Sequence, residues 1–405
     1  MIPANSSPCL PALALGLLLG LLVGAAEAQT SKPAHGQEHA ESAAAPQNQP
    51  PPGASRRPGP HEPSVHAPPL QVATLGGGLQ DAQQAALFKP FTDQTGASLH
   101  VQGWDGSLST LQKRATAGED GWDLVLMEAA PLRVACRQGL FIPDPQQAGA
   151  QQTGAQQTGA QQAGAGPPAP DSPGVGCGVA AWRESIVLAW DKSRVDLVPT
   201  WADFWDVARR PGKRGLKRDP RGTLEIALMA DGVAPDDVYR TLQTPDGINR
   251  AFRKLDQLKP YIVWWQTPAE AVQIIESGAV LMTSAPSGEI ATADRVGNHR
   301  FGTQWAQSLG DVLDWGITRT ATPVARAAAR QLLAFIQQPD QKQAFSAAYL
   351  AQITPATTPA TASPGSADAP SGSTHRDDTL MLDEDFWASR LEPLRSRFEA
   401  WIGSK

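Results

Sequence analysis

The chain has 405 residues, with 41 % hydrophobic and 18 % charged residues and a formal net charge of −6. That is too apolar for a wholly disordered chain, and the acidic balance speaks against a dedicated nucleic-acid binder. The 37 Gly and 36 Pro follow no Gly-X-Y period, which excludes collagen and makes the excess local.

Residues 1–28 read as a secretory leader. Leu10 to Ala26 is nearly all apolar, and Ala26-Glu27-Ala28 fits a small-x-small cleavage site. An uncleaved membrane anchor is the other reading, and Pro11 and the glycines of the run weigh against it. Residues 29–69 are Pro-, Ala- and Gln-rich with almost no large apolar side chain, a tether that cannot offset its ordering entropy. Residues 146–170 carry a five-residue QQTGA repeat, far below a solenoid period. Residues 354–374 are a Thr/Pro/Ala/Ser tract. Both read as surface loops on a folded body.

From Leu70 the pattern alternates short apolar runs with amphipathic stretches. It predicts a strand at 70–75 ending in Gly76-Gly77-Gly78, and a helix at 81–95. A buried strand follows at 122–127, then a helix opened by Pro131 and closed by Gly139. Further strands fall at 185–190, 261–264, 279–282 and 311–317. Helices begin at Thr200 and Thr223, at Asp246 as a cap, at the Thr267-Pro268-Ala269-Glu270 capping box and at Pro323. This alternation predicts α/β layers with largely parallel sheets, and about 290 residues of it call for two lobes.

With the leader removed, Cys136 and Cys177 remain and bracket the QQTGA insertion. One structural disulfide is the simplest reading in an exported chain. Two free buried thiols and a redox pair are the others. GGGLQD has no third Gly at dinucleotide spacing and no GK[ST], so it carries no nucleotide fingerprint. What remains for Gly77 is close backbone approach to something at a strand end, or a plain turn. Glu128 ends a strand just before a helix, where open α/β sheets bind ligands; an ordinary helix-start acid is the alternative. Asp314, followed by Trp315, and Glu289 in Ser287-Gly288-Glu289 are likewise acids at apparent strand ends. No GxSxG or HExxH occurs, only His100, His299 and His375 lie beyond the tether, and neither an enzyme nor a metal or cofactor site is expected.

GGGLQDAQQAALFKPFTDQTG, GWDLVLME, CGVAAWRESIVLAWD, TWADFWDVARRPGKRGL, WWQTPAEAVQIIESGAVLM, DWGI and FWASRLEPLRSRFEAWI, in that order, resemble the periplasmic solute-binding proteins of spermidine/putrescine ABC transporters. The resemblance implies an α/β fold of periplasmic-binding-protein type II, two lobes joined by crossover strands around a ligand cleft. Lobe 1 would be 70–184 plus 315–353, and lobe 2 would be 185–314 plus 375–405. It implies a monomeric periplasmic protein that captures a polyamine-like cation and delivers it to an inner-membrane permease. A sensor or interaction protein of the same fold, with another small cationic ligand, is the alternative. A buried polyamine needs paired carboxylates and aromatic or apolar walls. By position, Asp314 and Trp315 match the family's ligand pair. Asp219 falls at another pocket acid, with Glu225 one turn along. Glu128, Glu289 and Gly77 complete the expected ligand site.

Overall fold

The computed structural model describes residues 68–117, 121–143, 176–296, 300–353 and 379–404. The expected leader, nearly all of the tether, the QQTGA insertion and the 354–374 tract lie outside the described residues, as do His299 and His375.

A nine-stranded mixed sheet carries the fold, in the order β2-β1-β3-β8-β4-β7-β5-β6 with β9 beside β8. One parallel wing holds β1 (Leu70–Thr74), β2 (Leu99–Gly103) and β3 (Leu124–Glu128). The other holds β5 (Arg214–Lys217), β6 (Ile262–Trp265) and β7 (Met282–Pro286). Between them run β4 (Gly178–Asp191) and β8 (Phe301–Ile317), antiparallel to each other, to β3 and to β7. The expectation of largely parallel sheets therefore holds in the wings and fails at the centre. There, strands of 14 and 17 residues carry the chain across the molecule. The short β9 (Leu380–Met381) pairs with β8 in parallel.

Helices cover both faces. In the first wing α1 (Gly77–Gln83) continues through a π turn at Gln84–Phe88 into α2 (Lys89–Thr95), which Gly96 ends in the left-handed region. This helix starts four residues earlier than the sequence predicts, directly on the triple glycine. Next come α3 (Leu108–Ala117) and α4 (Ala129–Arg137). The second wing adds α5 (Trp201–Trp205), α6 (Pro220–Ala230), α7 (Val238–Leu242), α8 (Pro245–Leu258), α9 (Pro268–Glu276) and α10 (Ser287–Val296). The chain then adds α11 (Pro323–Ile336), α12 (Pro339–Ile353) and α13 (Glu384–Gly403).

Two of the helix-start signals map onto real caps, whereas the helix expected from Thr223 starts at Pro220 behind Asp219. Thr200 and Asp203 form a reciprocal capping box, and the Thr267 hydroxyl accepts the N–H of Glu270 at 3.2 Å. At α8 the cap is Thr244 rather than Asp246: Pro245 takes the first helical position, so the residue before it must cap, and Thr244 Oγ1 accepts from Gly247 N at 3.0 Å.

One core packs α1, α2, α11 and α12 on the first wing, with Phe88 set edge-on to Trp315 at 6.3 Å. A second, larger core runs under α4, α6, α8 and α13, and a small third one lies beneath α9 and α10. Cys136 and Cys177 form a disulfide with Cα atoms 6.1 Å apart. It closes a 41-residue separation, worth about 4 kcal/mol on the chain-entropy model.

Candidate functional site

Parallel strands end on one side of a sheet, and the loops that follow them converge there. All six parallel wing strands deliver residues to one cavity of about 40 Å³. Leu75 and Leu79 follow β1, Asp105 and Gly106 follow β2, and Glu128 ends β3. Lys217 ends β5, Trp265 ends β6 with Gln266 just after it, Pro286 ends β7, and Glu289 lies in the first turn of α10. Glu184 and Ile186 of β4 and Leu313 of β8 close the wall.

Its charges are organised in two groups. Glu128 contacts both the ammonium of Lys217 and the guanidinium of Arg221. Arg221, with a side chain 1 % exposed, reaches Asp311 at 2.8 Å through its other nitrogen. Burial alone would raise the Glu128 carboxyl, but Arg221 and Lys217 outweigh it and hold it at about 2. Asp311 goes the other way: burial, reinforced by the Glu128 charge and opposed by Arg221, lifts it to about 6.

The second group joins Glu184 and Glu289. Glu184 accepts from the Tyr349 hydroxyl, from Ser185 N at 2.9 Å and from the Ser287 hydroxyl at 3.2 Å. Burial still prevails over these donors, with the nearby Glu289 charge adding to it, and pushes Glu184 up to about 7. Glu289 accepts the N–H of Leu79 at 3.1 Å and is also raised, by burial. Gly77 lies directly against that carboxylate, at φ +62°. The close backbone approach expected at the triple glycine is thus an approach to the protein's own Glu289.

Of the residues singled out from sequence, Glu128 and Glu289 line the cavity and Gly77 abuts Glu289. The other four lie elsewhere. Asp314 points away because its neighbour Leu313 faces the cavity and side chains alternate along a strand. It sits against Gly178 and near Arg133, and burial raises its carboxyl. Trp315 is 1 % exposed in the first wing's core. Asp219 caps α6, accepting Arg221 N at 2.9 Å. Glu225 is fully buried beneath α6, accepting from Tyr239 Oη at 2.8 Å, Trp387 Nε1 at 2.6 Å and Gly222 N at 2.8 Å.

Lys217, Arg221, Glu184 and Trp265 were not read from the sequence. The strand-end rule that found Glu128 would have found Lys217 and Trp265. β5, however, is only four residues, RGLK, with charges at both ends, and it gives no apolar run. Arg221 falls in a stretch crowded with basic residues, and only the fold selects it.

Residues 86–372 match the family model described as bacterial extracellular solute-binding protein. The chain is 36 % identical over 340 residues to the gamma-aminobutyric acid-binding protein of Pseudomonas aeruginosa, covering 82 % of this chain and 90 % of that one. The binding protein MotA from Agrobacterium tumefaciens B6, solved with glucopine, superposes with a TM-score of 0.65 at 24 % identity, over 82 % of this chain and 99 % of that one. The spermidine/putrescine binding protein PotD of Streptococcus pneumoniae gives a TM-score of 0.52 at 15 % identity, over 83 % and 100 %. The fold is that of the type II periplasmic binding proteins, as the sequence predicts, whereas the polyamine branch of the resemblance rests on a distant likeness. These relatives are substrate-binding proteins of transport systems, which hold a small ligand and pass it to a membrane permease. The chain belongs to the bacterial extracellular solute-binding protein family.

Proposed function

We propose that the protein captures a short ω-amino acid of the γ-aminobutyrate class, and that this ligand displaces the polyamine expected from sequence. The observation that carries the reading is how charge is distributed around the cavity. Glu184 of β4 and Glu289 after β7 supply acceptors at one side, while Lys217 of β5 and Trp265 of β6 supply donors at the other. Strands sit ~4.8 Å apart, and the nearest of these pairs, Glu289 after β7 and Lys217 of β5, comes from adjacent strands. A zwitterion with a few methylenes between ammonium and carboxylate has that span and that polarity. Leu75, Leu79, Ile186, Pro286 and Leu313 give the methylenes an apolar wall, worth ~0.8 kcal/mol per buried CH₂. The 36 % identical relative named for gamma-aminobutyric acid supports the same class.

A diamine such as putrescine is the second reading, favoured by the acid excess: Asp105, Glu128, Glu184 and Glu289 line the cavity against a single lysine. Glu128, however, is already neutralised by Lys217 and Arg221. In this proposal the wings, built from residues 70–184 with 315–353 and from 185–314 with 375–405, are lobes that close over the ligand. The protein works outside the cytoplasm beside its permease.

Titration calorimetry with γ-aminobutyrate, 5-aminopentanoate, putrescine and spermidine tests the reading. Dissociation constants below about 10 µM for the ω-amino acids, with none measurable for spermidine, are expected. Heat with the diamines alone would reverse the assignment.

A further inference from the structure

Buried polar side chains around the cavity divide, among the described residues, into those with partners and one without. Lys217 contacts Glu128. Glu184 has three donors, and Glu289 has the Leu79 N–H. Asp105 accepts from the hydroxyls of Ser107 and Thr110 at 2.9 and 2.7 Å. Trp265 differs. Its indole is 2 % exposed, forms part of the cavity wall, and its Nε1–H has no partner among the described residues. Four other buried indoles are satisfied: Trp104, Trp201 and Trp205 donate to main-chain carbonyls at 3.0, 2.9 and 2.9 Å, and Trp387 donates to Glu225. Trp122 and Trp182 also lack a partner, but neither lines this cavity.

An indole N–H only donates, so whatever completes it must present an acceptor. A buried donor without one is costly and calls for a partner. The register places Trp265 directly beside Lys217 across the β5–β6 ladder, and β7 with Glu289 lies on the opposite flank of β5. The unsatisfied donor thus belongs to the residue paired with Lys217, and its ring packs in the core beneath α9 and α10.

We propose that Trp265 is a specificity-determining residue, whose Nε1–H donates to a carboxylate oxygen of the ligand beside Lys217. This rests on the ω-amino acid reading and adds to it. Trp265 selects ligands that carry an acceptor at that end and rejects diamines, whose ammonium groups would meet an N–H donor head-on.

The test follows the indole N–H resonances of the full chain, labelled with ¹⁵N, alongside calorimetry. Trp265 is the one tryptophan among the lining residues, so γ-aminobutyrate should shift a single indole resonance strongly, the one missing in Trp265→Phe. Trp265→Phe should bind γ-aminobutyrate at least tenfold more weakly while losing no affinity for putrescine. γ-Aminobutyrate that binds with measurable heat but leaves that resonance unmoved, or binds Trp265→Phe as tightly as wild type, overturns the role of Trp265 alone. No heat with any ω-amino acid overturns the ligand class and the role together. Should Trp265→Phe not fold, sequential assignment of the wild-type spectrum identifies the Trp265 indole resonance for the same titration.

Discussion

Gly77 and Glu289 compete for the same space: a Cβ on Gly77 would overlap the Glu289 carboxylate, which is itself buried and held by the N–H of Leu79 at 3.1 Å. Gly77 also sits at φ +62°, where an L side chain is strained. Gly77→Ala is therefore expected to lose about 1–3 kcal/mol of stability. It should also weaken ligand binding at least tenfold, because Glu289 is pushed out of the cavity wall. Thermal melting and calorimetry on the same sample separate the two effects.

Glu184 gives the protein a pH signature. Its carboxyl is raised by burial to about 7 from an ordinary value of 4.5. The native state therefore holds a proton that the unfolded chain has released between those values, and stability falls as pH rises through that window. The stabilisation is complete below about pH 4.5 and gone above about 7, a loss of ~3 kcal/mol from this group. Glu184→Gln can keep the same partners, its amide NH₂ donating to Tyr349 and its carbonyl accepting from Ser185 and Ser287. The variant should match wild type near pH 5 and exceed it near pH 8. Denaturant unfolding at the two pH values reads the difference, and equal pH slopes would remove Glu184 as the source.

Arg221 sits between Glu128 and Asp311 with no solvent exposure to speak of. Arg221→Met strands the buried Asp311 carboxylate and leaves Glu128 with Lys217 alone, and is expected to cost about 3–5 kcal/mol. Adding Asp311→Asn to it should recover part of that loss, which a double-mutant cycle measures. Because Glu128 is held at about 2, its contribution is present above about pH 4.5 and is lost as pH falls toward 2. The Arg221→Met variant should show a smaller acid-side decline, the remainder being held by Lys217.

Asp314 tests the alternation of β8. Its side chain lies across the strand from Leu313 and away from the cavity. Asp314→Ala is expected to leave ligand affinity within about twofold, where a pocket carboxylate would cost 2–5 kcal/mol or more. A tenfold loss by calorimetry would return Asp314 to the ligand.

Glu128 shows what the sequence could reveal about the site. An apolar strand ending in an acid just before a helix fixes that acid at the carboxyl edge of the sheet, whatever the rest of the chain does. Asp314 shows the limit: one residue of register on a 17-residue strand decides which face a side chain takes. Glu225 shows another, since it lies one turn along from an expected pocket position while Tyr239 and, far away in sequence, Trp387 enclose it. Among the elements, Thr200, Thr267 and Gly139 marked helix ends because caps and left-handed turns are local chemistry. β2 gave no signal because, as a half-exposed edge strand reading LHVQG, it has no apolar run. α13 buries Phe386, Trp387, Leu391, Leu394 and Phe398 around an internal Pro393, which blurs its period.

The core of the first wing joins Leu70, Val72, Phe88 and Leu126 to Leu313, Trp315, Phe335 and Tyr349. The chain entering it at β1 must therefore wait for β8, α11 and α12, with the whole second wing made in between. During synthesis that first half has only α1 and α2 to shield its apolar side before β8 emerges. Loops this long close slowly, so the early segment stays open to other hands for most of the time the protein takes to be made. Holding such a chain unfolded until its last strands arrive becomes a matter of timing built into its connectivity.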